Sequence, residues 1–293
     1  MLLLRYLAAC LRYRDAAARR FLRGGLSIDE RTRRLRAHWA AHHERSRAAQ
    51  RRWEAAGGDL AVLGAGRLYD FETAALPPRF RRMFLFDADP SCEPAWRKQL
   101  ADVQIEPRIG DLTGCLTRWQ RALASNRTGW VETLRIAAGI VQPSVDRAIP
   151  LAADAVLSLN LLSQLPIAWQ DMVEEHLTRR FGRARVKANE TEWLAAVEPG
   201  GRWIVEQHLR ALAASRAAHV LLITDIEYHD HEDRGARVVV QPALYDVPLE
   251  LNGYTLHWQE TWQWDISPLG AECDDYGSVH QVGAFAFSSS LRA

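Results

Sequence analysis

The sequence predicts an α/β fold: a doubly wound, mostly parallel sheet of seven strands with an antiparallel C-terminal edge, preceded by an N-terminal helical extension. Three observations predict it. Beyond residue 57, short apolar runs alternate with helical stretches, which is the rhythm of a parallel sheet covered on both faces. Near the end, Leu256, Trp258, Trp262 and Trp264 alternate with Thr255, His257, Thr261, Gln263 and Asp265, Glu260 being the exception, so one strand face is apolar. The first 56 residues carry helical periodicity and a concentration of arginine. The expected domains are therefore an arginine-rich helical extension over 1–56 and a doubly wound α/β domain over 57–293.

Taken in order, Leu3, Tyr6, Leu7, Cys10 and Leu11 share one helical face in residues 2–23, and Gly24-Gly25 reads as the stop. Ser27 followed by Asp29-Glu30 reads as the start of a second helix over 28–55, with Leu35, Trp39, His42 and Ser46 on one face. Strands are expected at Leu60 to Leu63, Met83 to Phe86, Val103 to Ile105, Ala155 to Leu159 and Val220 to Thr224. A crossover containing Trp119, Leu123, Trp130 and Leu134 joins the third strand to the fourth. After Pro166, the residues Trp169, Met172, Val173, His176 and Leu177 are spaced as a helix face. Glu198-Pro199-Gly200-Gly201 reads as a turn, followed by a helix over 203–214 through Ile204, Val205, His208, Leu209 and Leu212. Val282 to Phe287 supplies an antiparallel partner for the tryptophan-bearing strand, the two joined through 266–280.

With 293 residues, 48% of them hydrophobic and 25% charged, the chain has the composition of an ordinary globular protein. Cys10, Cys92, Cys115 and Cys273 are scattered, without zinc-ligand spacing, as expected of reduced thiols in a cytoplasmic protein. No uncharged run near the N-terminus is long enough for a signal or a membrane span, since Arg5 interrupts it. The net charge of +1 conceals an asymmetry: residues 1–52 hold fourteen arginines and four acids, and residues 238–290 hold seven acids and neither lysine nor arginine. A basic arm of this kind attracts a phosphate-rich partner, lies solvated, or pairs with the acidic end of its own chain.

The chemistry concentrates where the first strand runs into Gly64-Ala65-Gly66, a sharp turn that lets a ligand approach the backbone. Asp87 comes directly after the second strand, twenty-one residues after Gly66, where an open α/β sheet sets a carboxylate to accept from ribose hydroxyls. Asp111 comes after the third strand, placed to accept from an adenine amino group. The three loops would face one crevice at the carboxyl edge of the sheet.

On these residues, the segment from about 59 to 227 resembles a class I S-adenosylmethionine-dependent methyltransferase. The pieces that match are Val62-Leu63-Gly64-Ala65-Gly66, Leu85-Phe86-Asp87-Ala88-Asp89, Gly110-Asp111-Leu112 and Asp154 to Leu162. The resemblance implies S-adenosylmethionine as cofactor, with Gly64, Ala65, Gly66, Asp87, Ala88, Asp111, Leu112, Asn160 and Leu161 around it. It also implies methyl transfer to an acceptor, a small molecule, a protein or RNA, by in-line displacement. Two departures stand out: Val62 replaces the usual acid before the glycines, and Leu68 replaces a third glycine and narrows the loop. Asp70 either compensates as the nearest carboxylate or caps a helix after the loop.

Gln164, Asp225 and Tyr228 are the candidates for contact with the acceptor, against capping and exposed roles for the two at the fifth-strand exit. His229 to Asp233 reads as a solvated loop, with no metal site expected. His208 reads as a core histidine before a base. Trp258, Trp262 and Trp264 are either packed strand residues or the lining of an aromatic pocket. Two other functions share parts of the pattern. One is a catalytically silent module of the same fold that contacts nucleic acid through the basic arm. The other is an NAD(P)-dependent oxidoreductase, whose fingerprint needs a small residue where Tyr69 stands.

Overall fold

The computed structural model describes residues 16–112, 129–139, 153–215 and 217–290. The apolar face expected at Leu3, Tyr6, Leu7, Cys10 and Leu11 lies outside the described residues, as do Cys115, Trp119 and Leu123. The described elements are helices α1 (Ala16–Arg34) and α2 (Arg36–Arg52), strands β1 (Asp59–Leu63) and β2 (Arg82–Asp87), α3 (Glu93–Gln99), β3 (Ile105–Ile109), α4 (Trp130–Gly139), β4 (Ala155–Leu159), α5 (Gln164–Phe181), α6 (Arg183–Ala188), α7 (Glu190–Ala214), β5 (His219–Glu232), β6 (Arg237–Pro242), β7 (Tyr254–Ser267) and β8 (Gly277–Ser289).

The strands form one sheet in the order β3-β2-β1-β4-β5-β8-β7, with β6 paired to the distal half of β5. Strands β1 to β5 are parallel, and Val62 of β1 stands opposite Leu85 of β2 on one side and Leu157 of β4 on the other. β8 runs antiparallel between β5 and β7. From β1 the chain moves outward to β3 and then returns to lay β4 on the opposite side of β1. The carboxyl ends of β1 and β4 therefore flank the point where strand order reverses, where such sheets bind ligands.

Alternate residues of β1 serve the two faces, as the pleat requires. Leu60 and Val62 pack with Ala49 of α2, Trp53 just beyond it and Trp96 of α3. Ala61 and Leu63 pack with Val205, Leu209 and Leu212 of α7. Leu35, Trp39, His42 and Ser46 are all buried, as their spacing predicts, and three of them lie on α2. A third cluster joins α4, α5 and α7 through Trp130, Trp169 and Trp193. Among the described residues, no helix is long and apolar enough to cross a membrane.

Several expected boundaries move, each for a local reason. α1 continues through Gly24-Gly25 and through Ser27, which is therefore no cap, and the break falls at Leu35. Gly25 is required for packing instead of termination: a Cβ there would lie 1.8 Å from Asp89 Oδ2. The third strand is Ile105–Ile109 and not 103–105, because an edge strand tolerates Pro107 and carries no continuous apolar run. β5 runs on to Glu232, so His229 to Glu232 are strand residues between β6 and β8 and not a loop. Among the described residues the sheet has eight strands, since β6, mostly exposed, adds one to the seven expected.

The Pro199-Gly200-Gly201 turn is instead the middle of the 25-residue helix α7. Proline and glycine in a helix interior cost about 3 and 1 kcal/mol against alanine. Close packing explains the glycines: a Cβ on Gly200 would lie 2.6 Å from Trp169 Nε1, and one on Gly201 would lie 2.6 Å from the Tyr245 ring. Replacing Gly200 by Ala should lower stability by a net 1 kcal/mol or so, overpacking of about 1–3 kcal/mol outweighing the propensity gained. Urea denaturation measures it, and a stabilised variant would show that Trp169 yields.

Candidate functional site

β1 ends in a turn through Gly64 (φ 74°) and Gly66 (φ 50°), in the left-handed region that glycine enters without cost. A Cβ on Gly64 would lie 2.7 Å from the Leu159 carbonyl oxygen and 2.8 Å from Leu161 Cβ, so β4 leans directly on the loop. On Gly66 a Cβ would meet nothing nearer than 4.0 Å, which leaves open space on that side of the backbone. The Gly64 and Ala65 amides both donate to the Phe86 carbonyl at 3.0 Å. The Gly66 amide donates to Asp87 Oδ2 at 2.8 Å, and the Asp89 amide donates to Oδ1 at 2.8 Å.

Asp87 thus ties the glycine loop to the end of β2 while each carboxylate oxygen keeps a further lone pair. Burial pushes this carboxyl up to about 6, against the backbone amides that favour its charged form. The Gly66 carbonyl accepts from Trp96 Nε1 at 2.7 Å. Ala88, Asp111 and Leu112 are half-buried, and the Gly110 amide donates to the Asp87 carbonyl at 2.9 Å. The exits of β1, β2 and β3 consequently stand side by side, as the spacing of the two acids predicts.

Past the glycine loop, the chain departs from expectation. No helix lies between β1 and β2, only a 3-10 turn at Pro77–Arg79. Asp70 therefore caps nothing. Its carboxylate accepts from Asn160 Nδ2, while His43 and Arg47 of α2 face it. Leu68 does not narrow the loop: it adopts φ 62° and its side chain is buried in the core. Tyr69 turns toward α1 and α2, its hydroxyl donating to Asp29 and its carbonyl accepting from Arg47 Nη1 at 3.0 Å.

At the exit of β4, Asn160 holds φ 46° and its amide donates to the Ile223 carbonyl at 2.8 Å. Its side chain also meets His42 Nε2 at 3.2 Å. His42 Nδ1 accepts from Trp262 Nε1 at 3.1 Å, and its ring stacks on Trp264 at 3.9 Å. Burial drives His42 down to about 3, with neighbouring His43 adding to the effect, so the ring is neutral. Trp262 and Trp264 of β7 accordingly serve the core and border the site at once.

Next to this cluster, Asp225 is fully buried, which corrects its exposed or capping role. Its Oδ2 accepts from Ser163 Oγ at 2.7 Å and from Gln164 Nε2 at 3.3 Å, and Oδ1 lies 3.2 Å from His280 Nδ1. Burial alone would raise the Asp225 carboxyl, but His280 and the Ser163 hydroxyl outweigh it and hold it low. Tyr228 packs its ring 4.5 Å from that of His280, and burial pushes its phenol up. Gln164, Asp225 and Tyr228 do come together, joined by Ser163 and His280. His208 is buried against Ser158 at 2.9 Å on the other face, a core histidine as its helix spacing indicates.

Sequence reasoning missed His43, His280 and Ser163 at this site and read His42 only as part of a helix face. The buried period of α2 was the one signal for His42; His280 lay in a segment read as a connector. Arginines of the N-terminal region meet carboxylates of the same chain: Arg31 and Arg34 both pair with Glu272, and Arg51 pairs with Glu44 and Glu72. Among the described residues, no cluster of three or more metal-ligating side chains occurs.

The strand order, parallel through β5 and closed by the antiparallel pair β8 and β7, decides the architecture. The fold is that of class I methyltransferases. No protein-family model matches the sequence, and no curated protein matches it. Among solved structures, similarity extends to a candidate RNA methyltransferase from Pyrococcus horikoshii, at 12% identity and TM-score 0.34, over 89% of this chain and 84% of that one. It extends to a candidate tRNA (m1A22) methyltransferase from Streptococcus pneumoniae in complex with S-adenosyl-L-methionine, at 10% identity and TM-score 0.34, over 85% and 72%. The N-methyltransferase NodS from Bradyrhizobium japonicum is similar at 10% identity and TM-score 0.31, over 90% and 96%. The fold assignment rests on strand order and register, not on these scores.

Asp225→Ala should cost about 1–3 kcal/mol, because it strips buried Ser163 Oγ of its acceptor and removes the carboxylate that Gln164 Nε2 and His280 face. Thermal denaturation tests this, and a loss below about 1 kcal/mol would mean that water replaces the carboxylate.

Proposed function

We propose that the chain transfers a methyl group from S-adenosylmethionine to an acceptor substrate. The observation that carries the proposal is the bond from the Gly66 amide to Asp87, with open space beside Gly66, at the reversal point of this sheet. The site also lacks a helix after the glycine loop. A dinucleotide sets its pyrophosphate on such a helix N-terminus, whereas S-adenosylmethionine carries no phosphate and needs none. That difference favours methyl transfer over nicotinamide-dependent oxidation, together with Tyr69 in place of a small residue.

When bound, the cofactor supplies an activated methyl group on a sulfonium, so the chain's own task is positioning. Gly64, Ala65 and Gly66 let the cofactor approach the backbone. Asp87, ionised, would accept from the ribose hydroxyls through its remaining lone pairs, with Ala88 beside it. Asp111 and Leu112 would flank the adenine. Asn160 and Leu161 would border the amino-acid end, and Gln164 and Tyr228 the acceptor. Asp225 acts through Ser163 and Gln164, since its own carboxylate is enclosed. In-line displacement at the methyl group results from alignment and exclusion of water, and a base is required only where the acceptor must lose a proton first.

Calorimetric titration with S-adenosylhomocysteine tests the proposal, and absence of binding at millimolar ligand would sink it. Gly66→Ala should leave the fold within about 2 kcal/mol of the parent, the cost of a left-handed alanine, yet block binding. The pH dependence has a definite sign. With Asp87 titrating at about 6, the ribose-accepting carboxylate is present above that value and lost below it, so affinity should fall as pH drops through 6. Affinity that is level from pH 7.5 to 5 would remove Asp87 from the ribose.

A further inference from the structure

Part of the helical layer rises past the carboxyl edge of the sheet. His208 of α7 meets Ser158 at 2.9 Å near the end of β4, and α7 then runs on to Ala214 ahead of β5, so its earlier residues project the other way, beyond the strands. At 1.5 Å per residue, the first turn of α7 stands about 25 Å past His208. α4 and α5 pack on this projecting half. Trp169 Nε1 donates to the Val197 carbonyl at 3.2 Å, Trp130 Nε1 donates to Glu192 Oε2 at 2.9 Å, and the apolar cluster they share contains no strand residue. α5 starts at Gln164 beside Asp225 and ends at Phe181, whose ring lies 5.4 Å from that of Trp130. The tip of the projection, made by the end of α5 and by α6, is therefore about 25 Å from Gln164, on the same side of the sheet as the glycine loop.

This tip is positive. Arg179, Arg180, Arg183, Arg185 and Lys187 are all exposed, and the sequence from His176 to Asn189 holds neither Asp nor Glu. None of the five forms a salt bridge with another described residue, whereas Arg31, Arg34 and Arg51 of the N-terminal helices are spent on carboxylates. Two of the guanidinium groups are seated without using their donors. Arg185 Cζ lies 5.1 Å from the centre of the Trp130 ring and 5.5 Å from that of Phe181, and Arg180 Cζ lies 5.5 Å from the same Phe181 ring. A guanidinium over an aromatic face keeps its N–H groups available at its edge, as a fork that matches phosphate. We propose that this tip holds a nucleic-acid strand by its phosphates. A membrane surface calls for exposed apolar residues beside the cations, but Val186 is buried and Phe181 is half-buried against the two arginines. Cations distributed over the end of α5 and α6 suit a repeated charge, and about seven steps of a strand, at 3.4 Å each, reach from the tip to Gln164. The meaning of that reach rests on the proposed methyl transfer; the binding of nucleic acid to the tip does not.

Fluorescence anisotropy of the full chain with a labelled single-stranded RNA of about 20 nucleotides tests the surface. Affinity should fall steeply with salt, the slope of log affinity against log salt being about −3.5 for five phosphate contacts. Arg180→Gln with Arg185→Gln should weaken binding about tenfold or more and make the slope shallower by about 1.4. Because those two arginines also pack on aromatic rings, Arg183→Gln with Lys187→Gln provides a second pair, which should repeat the loss. Arg97→Gln with Arg234→Gln removes the same charge from exposed arginines elsewhere and should leave affinity within about threefold of the parent. No binding at about 50 mM salt, an equal loss in this control pair, or no change in either tip pair would overturn the proposal. Vesicles of phosphatidylserine and phosphatidylcholine should not sediment the chain. Sedimentation that the tip substitutions abolish, without RNA binding, would overturn it in favour of a membrane. A chain that binds RNA at the tip but not S-adenosylhomocysteine would defeat the proposed methyl transfer and leave this partner in place.

Discussion

The face of the sheet above β1 has to be covered, and the segment after β1 forms no helix to cover it. That requirement shapes the site. α2 supplies the cover through Ala49 and, just beyond its end, Trp53 packs with it, while further along its buried face the same helix carries His42 and His43 to the carboxyl edge. A helix that lies before the sheet in sequence therefore completes the site. Its seat is specific because His42 is bonded on one side to Trp262 of β7 and meets Asn160 at the end of β4 on the other.

Some polar atoms buried at this edge have no hydrogen-bond partner, Asn160 Oδ1 and Trp264 Nε1 among them, and those that are bonded also fix position. Asp87 holds the glycine loop by one oxygen and the Asp89 turn by the other. Asp225 gathers Ser163, Gln164 and His280 from two different strands' surroundings. Such groups gain little net stability from their bonds but lose much when a partner is removed, so they specify one arrangement.

Most of the parallel sheet was legible in the chain because buried strands read as short apolar runs. β1, β2 and β4 lie within a residue of their expected ends, and Trp258, Trp262 and Trp264 alternate as β7 requires. Glycines misled where their role was contact and not turning. Gly25, Gly200 and Gly201 sit inside helices because Asp89, Trp169 and Tyr245 approach where a Cβ would stand, and close approach by residues far away in sequence leaves no local signature. β3 and β6 escaped for the opposite reason: edge strands are exposed and need no apolar pattern.

By itself, the sequence determined the α/β class, the turn at Gly64-Ala65-Gly66 and the two acids set to meet it, since strand period and spacing are properties of the local chain. The tertiary structure alone decided that Leu68 points into the core, that Asp70 meets Asn160, and that His42, Ser163, Asp225 and His280 converge on one edge. Those outcomes depend on which surface each element buries and on how donors and acceptors match once burial removes water. No spacing rule along a single chain contains that information.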